Sequence, residues 1–198
     1  MEGRLELAQR RQPAELAHAL RRHDGFVQRF VPYTFLGNHD VTRIASRLTN
    51  PARLDHALVV LATVAGTPAV YAGDEHAFRG VKEDRAGGDD AVRPPFPADP
   101  AGLSPLGLPT FARHQELLGL RRRHPWLHAA RTEVLDVANE ALVYASSGGG
   151  GRLLVVLSTA ARPVTLRAPG ARSVLAGDAG LDGDRVSLPA GGWAVLTS

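Results

Sequence analysis

Asn38, His39 and Asp40 stand directly behind an apolar run and form the most informative chemical group in the chain. A carboxylate beside an imidazole can hydrogen-bond the vicinal hydroxyls of a sugar. A carboxylate can also stabilise positive charge developing at an anomeric carbon. The position matters, because residues just past the C-terminal ends of strands in a (β/α)8 barrel face its active site. The ordinary alternative is a turn: Asn and Asp both favour loop starts, and Asp40 is placed to cap a helix running through Ile44. A second acidic group, Asp74 and Glu75, follows Gly73. Side chains adjacent in an extended strand point to opposite faces, so this pair suits a structural role better than an acid and nucleophile acting together. Asp84, Asp89 and Asp90 lie in a loop, where carboxylates are expected to be solvated rather than to hold calcium.

The elements that must position these residues are legible from local patterns. Pro13 to Arg22 reads as a helix, with Pro13 at the first position, Glu15 in the first turn, and Leu16 and Leu20 on one face. Val31 to Gly37 reads as a short strand leading into Asn38. A second helix starts at Asn50 and Pro51 and carries Leu54, Leu58, Leu61 and Ala65 at helical spacing. Its stretch Ala57 to Ala62 is apolar on nearly every side, which predicts packing on more than one face. Thr67 to Ala72 is a second short strand, ending at Gly73-Asp74-Glu75. Strand, helix and strand with short connections form a βαβ unit, hence parallel strands.

His76 to Pro109 has no period and is rich in Gly, Pro and Asp, the signature of a long functional loop. Phe111 to His124 is a third helix, stopped by Pro125. Its terminal run Arg121-Arg122-Arg123-His124 is expected to stay solvated and complement the helix dipole. Seven short strands follow: Thr132 to Val137, Ala141 to Ala145, Arg152 to Leu157, Val164 to Arg167, Ser173 to Leu175, Arg185 to Leu188 and Trp193 to Leu196. The turns between them include a glycine run at Gly148 to Gly151, expected to be a hairpin loop. This texture predicts a small antiparallel β-sandwich beginning near Ala129.

Composition narrows the field. The 198 residues are 44% hydrophobic and 22% charged, as expected of a globular chain with a real core. A net charge of +3, with Lys82 the only lysine and no aromatics interleaved with the arginines, argues against a nucleic-acid partner. The absence of cysteine excludes disulfides and thiolate metal sites. No stretch reaches the roughly 20 apolar residues of a membrane helix. No apolar signal core follows Met1-Glu2-Gly3-Arg4, so a cytoplasmic protein is expected. Neither strand is followed by a Gly-x-Gly-x-x-Gly turn, which argues against a dinucleotide-binding unit.

Phe35-Leu36-Gly37-Asn38-His39-Asp40 resembles the fourth conserved region of the α-amylase family. About thirty residues later, Gly66-Thr67-Pro68-Ala69-Val70-Tyr71-Ala72-Gly73-Asp74-Glu75 is similar to that family's strand-eight signature. Arg93-Pro94-Pro95-Phe96-Pro97 is similar to the Arg-x-Pro segment of the loop after that strand, and Leu120 to Leu127 to the end of the last barrel helix. The resemblance covers nearly the whole chain from about Pro13. It implies an α/β plus all-β fold: a partial (β/α)8 TIM barrel over residues 1–128, its last strands and helices, then a β-sandwich over 129–198. It further implies that Asp40 is a transition-state stabiliser, that His39 binds substrate by hydrogen bonds, and that the ligand is an α-glucan or α-glucoside oligosaccharide. Asn38 is expected to shape the turn, and Arg43 to pair with a barrel carboxylate outside the chemistry. No cofactor and no metal are implied. Phe96 stands where the family often has tryptophan and Ala72 where it often has tyrosine, changes that at most alter a sugar-stacking wall.

Retaining glycosidases need a nucleophilic carboxylate and a carboxyl acid/base roughly 5–5.5 Å apart. In the family resembled, both come from strands earlier than the Asn-His-Asp strand. Only about thirty residues precede that strand here, they read as helix, and Glu2, Glu6 and Glu15 lie in helical or terminal surroundings. The chain alone is therefore expected to be inactive. Two strands cannot close a barrel, so open strand edges and exposed surface on the second helix are expected. A separate chain carrying the missing barrel half is the partner that would cover them. The alternative function is a non-catalytic carbohydrate-binding or interaction module using Trp193, Trp126 or Tyr144 as a platform, although all three sit in apolar contexts that favour the core.

Overall fold

The computed structural model describes residues 13–198. Glu2, Glu6 and the Met1 to Arg4 terminus lie outside the described residues. Helix α1 (Pro13–Val27) begins at the expected proline and buries Ala17 and Leu20. It runs five residues past the expected end at Arg22. Two long-range contacts hold that extra turn: His23 Nε2 lies 2.8 Å from the Ala65 carbonyl, and Asp24 accepts from the Arg131 guanidinium and the Thr132 amide.

Strand β1 (Tyr33–Phe35) pairs in parallel with β2 (Thr67–Ala69), Thr34 opposite Pro68. Between them lie a one-turn helix α2 (Ile44–Arg47) and helix α3 (Arg53–Thr63). Asn50 acts just before α3 rather than as its cap, its side chain accepting from the Ala52 amide at 3.0 Å. The βαβ unit is present, shortened to its paired core. Among the described residues these two strands form a sheet of their own, so the barrel is partial.

One expectation is corrected. α3 does not expose its second apolar face: Leu54 and every residue from His56 to Thr63 are buried. Helix α4 (Leu108–Arg123) and the sheet beyond it cover what the sequence alone leaves bare. Most exposed large apolar side chains instead lie in two places: leading into and along β1, with Phe30 and Val31 at about half exposure and Tyr33 at 68%, and along the stretch from Val81 to Phe111.

A 3-10 segment (Pro125–Ala129) leads to eight further strands. β3 (Arg131–Ala138), β4 (Ala141–Gly148), β5 (Gly151–Ser158), β10 (Trp193–Thr197) and β7 (Ser173–Gly177) make a five-stranded sheet in the order β3-β4-β5-β10-β7. β6 (Val164–Arg167), β9 (Arg185–Leu188) and β8 (Gly180–Asp182) make a three-stranded one in the order β6-β9-β8. Every pairing in both sheets is antiparallel. The β4–β5 hairpin turns on Gly149 and Gly150, both with positive φ, the two-residue turn whose twist matches antiparallel strands.

Strand alternation divides the five-stranded sheet between two cores. Leu142, Tyr144, Leu153, Val155, Trp193 and Val195 face the helices and join Ala17, Leu58, Val59, Leu117 and Leu120 in one cluster. Val143, Ala145, Leu154, Val156, Ala194 and Leu196 face the small sheet and meet Val186 and Leu188. Helices, large sheet and small sheet are thus three layers, and no face of the large sheet is left to water.

Candidate functional site at the strand ends

Because β1 and β2 run in the same direction, the segments after them emerge at one pole of the two-stranded sheet. Asn38-His39-Asp40 leaves β1 there, and Gly73-Asp74-Glu75 leaves β2 beside it. The Asn38 side chain accepts from the Asp40 amide at 2.8 Å and closes a tight turn, so Asn38 shapes the loop and does not reach outward. His39 and Asp40 are both well exposed, with His39 Nε2 3.2 Å from Asp40 Oδ2. The other carboxylate oxygen, Oδ1, receives the Arg93 guanidinium at 3.1 Å. The same guanidinium donates from Nε to the His39 carbonyl at 3.0 Å and is anchored from behind by Asp89.

His39 and Asp40 therefore come together, and Arg93 joins them as a third member. The sequence reading places Arg93 only within an Arg-x-Pro segment and gives it no role. That segment was the available signal, but it cannot show that a residue 53 positions on folds back over the turn. Asp89, expected to be solvated, is instead a partner of Arg93.

Below this exposed group lies a buried ion pair. Arg43 and Asp74 are 1% and 5% exposed, with Nη1 2.9 Å from Oδ1. Burial pushes the Asp74 carboxyl above its ordinary range, and the hydrogen bond and charge of Arg43 oppose that shift. Glu75 turns back, its Oε2 accepting from the Gly73 amide at 2.9 Å. Both carboxylates after β2 are thus spent on loop structure, and Arg43 meets a carboxylate as expected. Gly37 is required here by close approach: a Cβ on it would sit 2.9 Å from Asp74 Oδ2.

Aromatic side chains line the loop after β2. Phe78 and Phe96 have ring centroids 5.2 Å apart, and His76 stacks on Phe111 at 5.0 Å. Phe96 is 44% exposed, so a ring remains at that position. Tyr144 is fully buried, and Trp193 is 6% exposed with the Arg113 guanidinium over its ring at 4.6 Å. Neither offers a platform to a sugar; Trp126, the third candidate platform, is half-buried. Among the described residues, no group of three or more His, Asp or Glu side chains is arranged to hold a metal ion. No described helix is long and apolar enough to cross a membrane.

The family profile described as the alpha amylase catalytic domain matches residues 4–132. That is more than half of the chain, and it takes in both strand-end segments. The chain belongs to the α-amylase family. Solved structures of α-amylase relatives share its fold. The trehalulose synthase MutB from Pseudomonas mesoacidophila superposes with a TM-score of 0.76 at 19% identity, over 94% of this chain and 46% of that one. A debranching enzyme from Nostoc punctiforme superposes with a TM-score of 0.72 at 20% identity, over 94% of this chain and 40% of that one. The chain thus spans less than half the length of these α-amylase relatives, and the shared region includes the β-sandwich as well as the strand ends.

Proposed function

We propose that this chain is the C-terminal part of an α-amylase-family glycoside hydrolase or transglycosidase acting on α-glucosidic bonds, in which Asp40 stabilises the transition state. Residues 1–128 supply the last part of the catalytic barrel and residues 129–198 a β-sandwich domain. The observation that carries the reading is the exposed Asp40 carboxylate at the strand-end pole, with Arg93 hydrogen-bonded to Oδ1 and His39 Nε2 3.2 Å from Oδ2. A carboxylate so held is aimed before substrate arrives, and its charge opposes the positive charge of an oxocarbenium-like transition state. The exposed His39 imidazole is then a hydrogen-bond partner for a hydroxyl of the same sugar.

The substrate class proposed is an α-glucan or α-glucoside oligosaccharide. A variant of MutB has been solved with sucrose as substrate, and the Nostoc debranching enzyme was soaked with acarbose. The nucleophile and acid/base would come from earlier barrel strands, so the chain alone is catalytically silent. A polypeptide bearing those strands is the proposed partner, and it would cover Phe30, Val31 and Tyr33 beside β1. Neither a cofactor nor a metal enters this reading. The lack of cysteine suits a reducing compartment, so the cytoplasm is the proposed location.

The test is an assay on maltose-type oligosaccharides. The chain alone should show no turnover. Mixed with a polypeptide carrying the first six strand–helix units of a family barrel, it should hydrolyse or transfer glucosyl units, and Asp40→Asn should abolish that activity. Turnover by the isolated chain that is lost in Asp40→Asn would overturn the proposed division of catalytic groups. Complemented activity indifferent to Asp40→Asn would overturn the role given to Asp40.

A further inference from the structure

Arg43 lies three positions past Asp40 and does not touch it, yet it is among the largest fully buried side chains. A guanidinium out of water needs partners for its donors, and Nε and Nη1 of this one have them. Nη1 gives to Asp74 Oδ1 at 2.9 Å and to the Ala72 carbonyl at 2.7 Å. Nε gives to the Val92 carbonyl at 2.9 Å. The guanidinium lies over the Tyr71 ring at 4.1 Å, and the Arg43 amide donates to the Gly80 carbonyl at 3.0 Å. Its neighbours extend the same connection: Ser46 Oγ accepts from the Gly80 amide and Thr42 Oγ1 from the Lys82 amide, both at 2.9 Å.

One side chain thus joins three separate stretches: the turn after β1, the end of β2, and the far side of the following loop. Val92, which it grips by the carbonyl, precedes Arg93, the residue that holds both Asp40 and the His39 carbonyl. Val92 is itself fully buried, so its carbonyl is a fixed point from which the Arg93 side chain departs. A lysine carries its donors on one nitrogen, so it could meet Asp74 but lacks the second nitrogen, Nε, from which Arg43 reaches the Val92 carbonyl.

We infer that Arg43 is a positioning residue for Asp40, acting through the Val92 carbonyl to place Arg93 and through Arg93 to aim the carboxylate. This rests on the proposed role of Asp40 but is tested without substrate. The readout is solvent exchange of the Arg93 Nε–H proton, which is hydrogen-bonded to the His39 carbonyl, measured by NMR on the full chain. That proton should be protected in the wild type. In Arg43→Lys its exchange should rise about tenfold while the amides of the five-stranded sheet keep their protection. A role confined to filling the core would lower the melting temperature and leave this proton alone.

If Arg43→Lys does not fold, Tyr71→Leu keeps Arg43 but removes the ring beneath it, and should raise Arg93 exchange about threefold. An Arg93 Nε–H that is unprotected in the wild type would overturn the inference, as would one unchanged in the folded variants. A complemented barrel that depends on Asp40, with Arg93 exchange unmoved by these substitutions, would overturn the positioning role alone. Protected Arg93 exchange that responds to Arg43, without any Asp40-dependent turnover, would overturn the catalytic reading and leave the positioning intact.

Discussion

The Tyr144 hydroxyl lies 2.6 Å from the Thr63 hydroxyl at the end of α3, in the closed space between helices and sheet. Thr63 Oγ1 also lies 2.7 Å from the Val59 carbonyl, which can only accept. The order of donation follows: Thr63 gives its proton to Val59, so Tyr144 must give its own to Thr63. Burial pushes the Tyr144 hydroxyl well above its ordinary pKa, and it remains a donor throughout the physiological range.

The two halves of this pair should therefore respond unequally to deletion. Thr63→Val leaves a buried donor on Tyr144 with no acceptor, at a cost of about 1–3 kcal/mol. Tyr144→Phe removes a donor whose acceptor keeps its own bond to Val59, at a cost of about 1 kcal/mol. Chemical denaturation of both variants checks the order. Equal losses would refute the direction assigned to the bond.

His56 predicts a pH dependence. It is buried on α3 with Nε2 2.8 Å from the Gly191 carbonyl, and burial lowers its pKa from 6.5. The folded chain takes up this proton at a lower pH than the unfolded chain, so stability is complete above 6.5 and declines as pH falls below it. His56→Gln can keep a donor to Gly191 but cannot titrate. Between about pH 7 and 5 it should lose less stability than the wild type. Asp24 acts in a different window. Its hydrogen bond to Arg131 lowers its pKa below 3.8, so its contribution is present above that value and lost in stronger acid. Thermal melts across both ranges should separate the two.

Two glycines should give alanine variants of opposite sign. Gly37→Ala drives a methyl group to within 2.9 Å of a carboxylate already fixed by Arg43, and should cost about 1–3 kcal/mol. Gly25, inside α1, has nothing within 4 Å of an added Cβ. Gly25→Ala should stabilise by about 0.5–1 kcal/mol through helix propensity. Melting temperatures in opposite directions from the wild type are the expected result.

Arg121 and Arg122, neighbours on α4, should also part company. Arg121 donates to the carbonyls of Ala62, Val64 and Gly66 at 2.9, 2.7 and 2.6 Å, closing the end of α3 rather than serving its own helix. Arg121→Lys loses that fork and should cost about 1.5–3 kcal/mol. Arg122 is exposed, and Arg122→Ala should change stability by less than about 0.5 kcal/mol. Denaturant midpoints for the two variants are the measurement.

The arginine run marks where sequence reading stops. Its position at a helix end was legible, but that Arg121 caps another helix was not, because the capped carbonyls lie more than fifty positions earlier. Strong local signals fared best. β6 and β9 fall on the expected residues, and the turn after β1 lies where Asn38 and Asp40 place it. Weak ones were missed. α2 is four residues long with no side-chain cap, and β8 is three residues beginning with glycine, with β9 as its one strand partner among the described residues. At the site, His39 and Asp40 were readable because they are adjacent to each other and to a strand. Arg93 was not, because long-range folding alone brings it to them.

The helix-facing core sets a rule for recombining such chains. Leu142, Tyr144, Trp193 and Val195 pack against Leu58, Val59, Leu117 and Leu120 as one cluster, so the connection at Pro125–Ala129 is not a seam between independent parts. A chimaera cut there would present one homologue's sheet to another's helices, with mismatched side-chain volumes across the joint. The three-stranded sheet is bound in the same way on the far side, where Val186 and Leu188 share a core with Val143, Leu154, Val156 and Leu196 of the large sheet, so exchanging it alone would create a second mismatched joint.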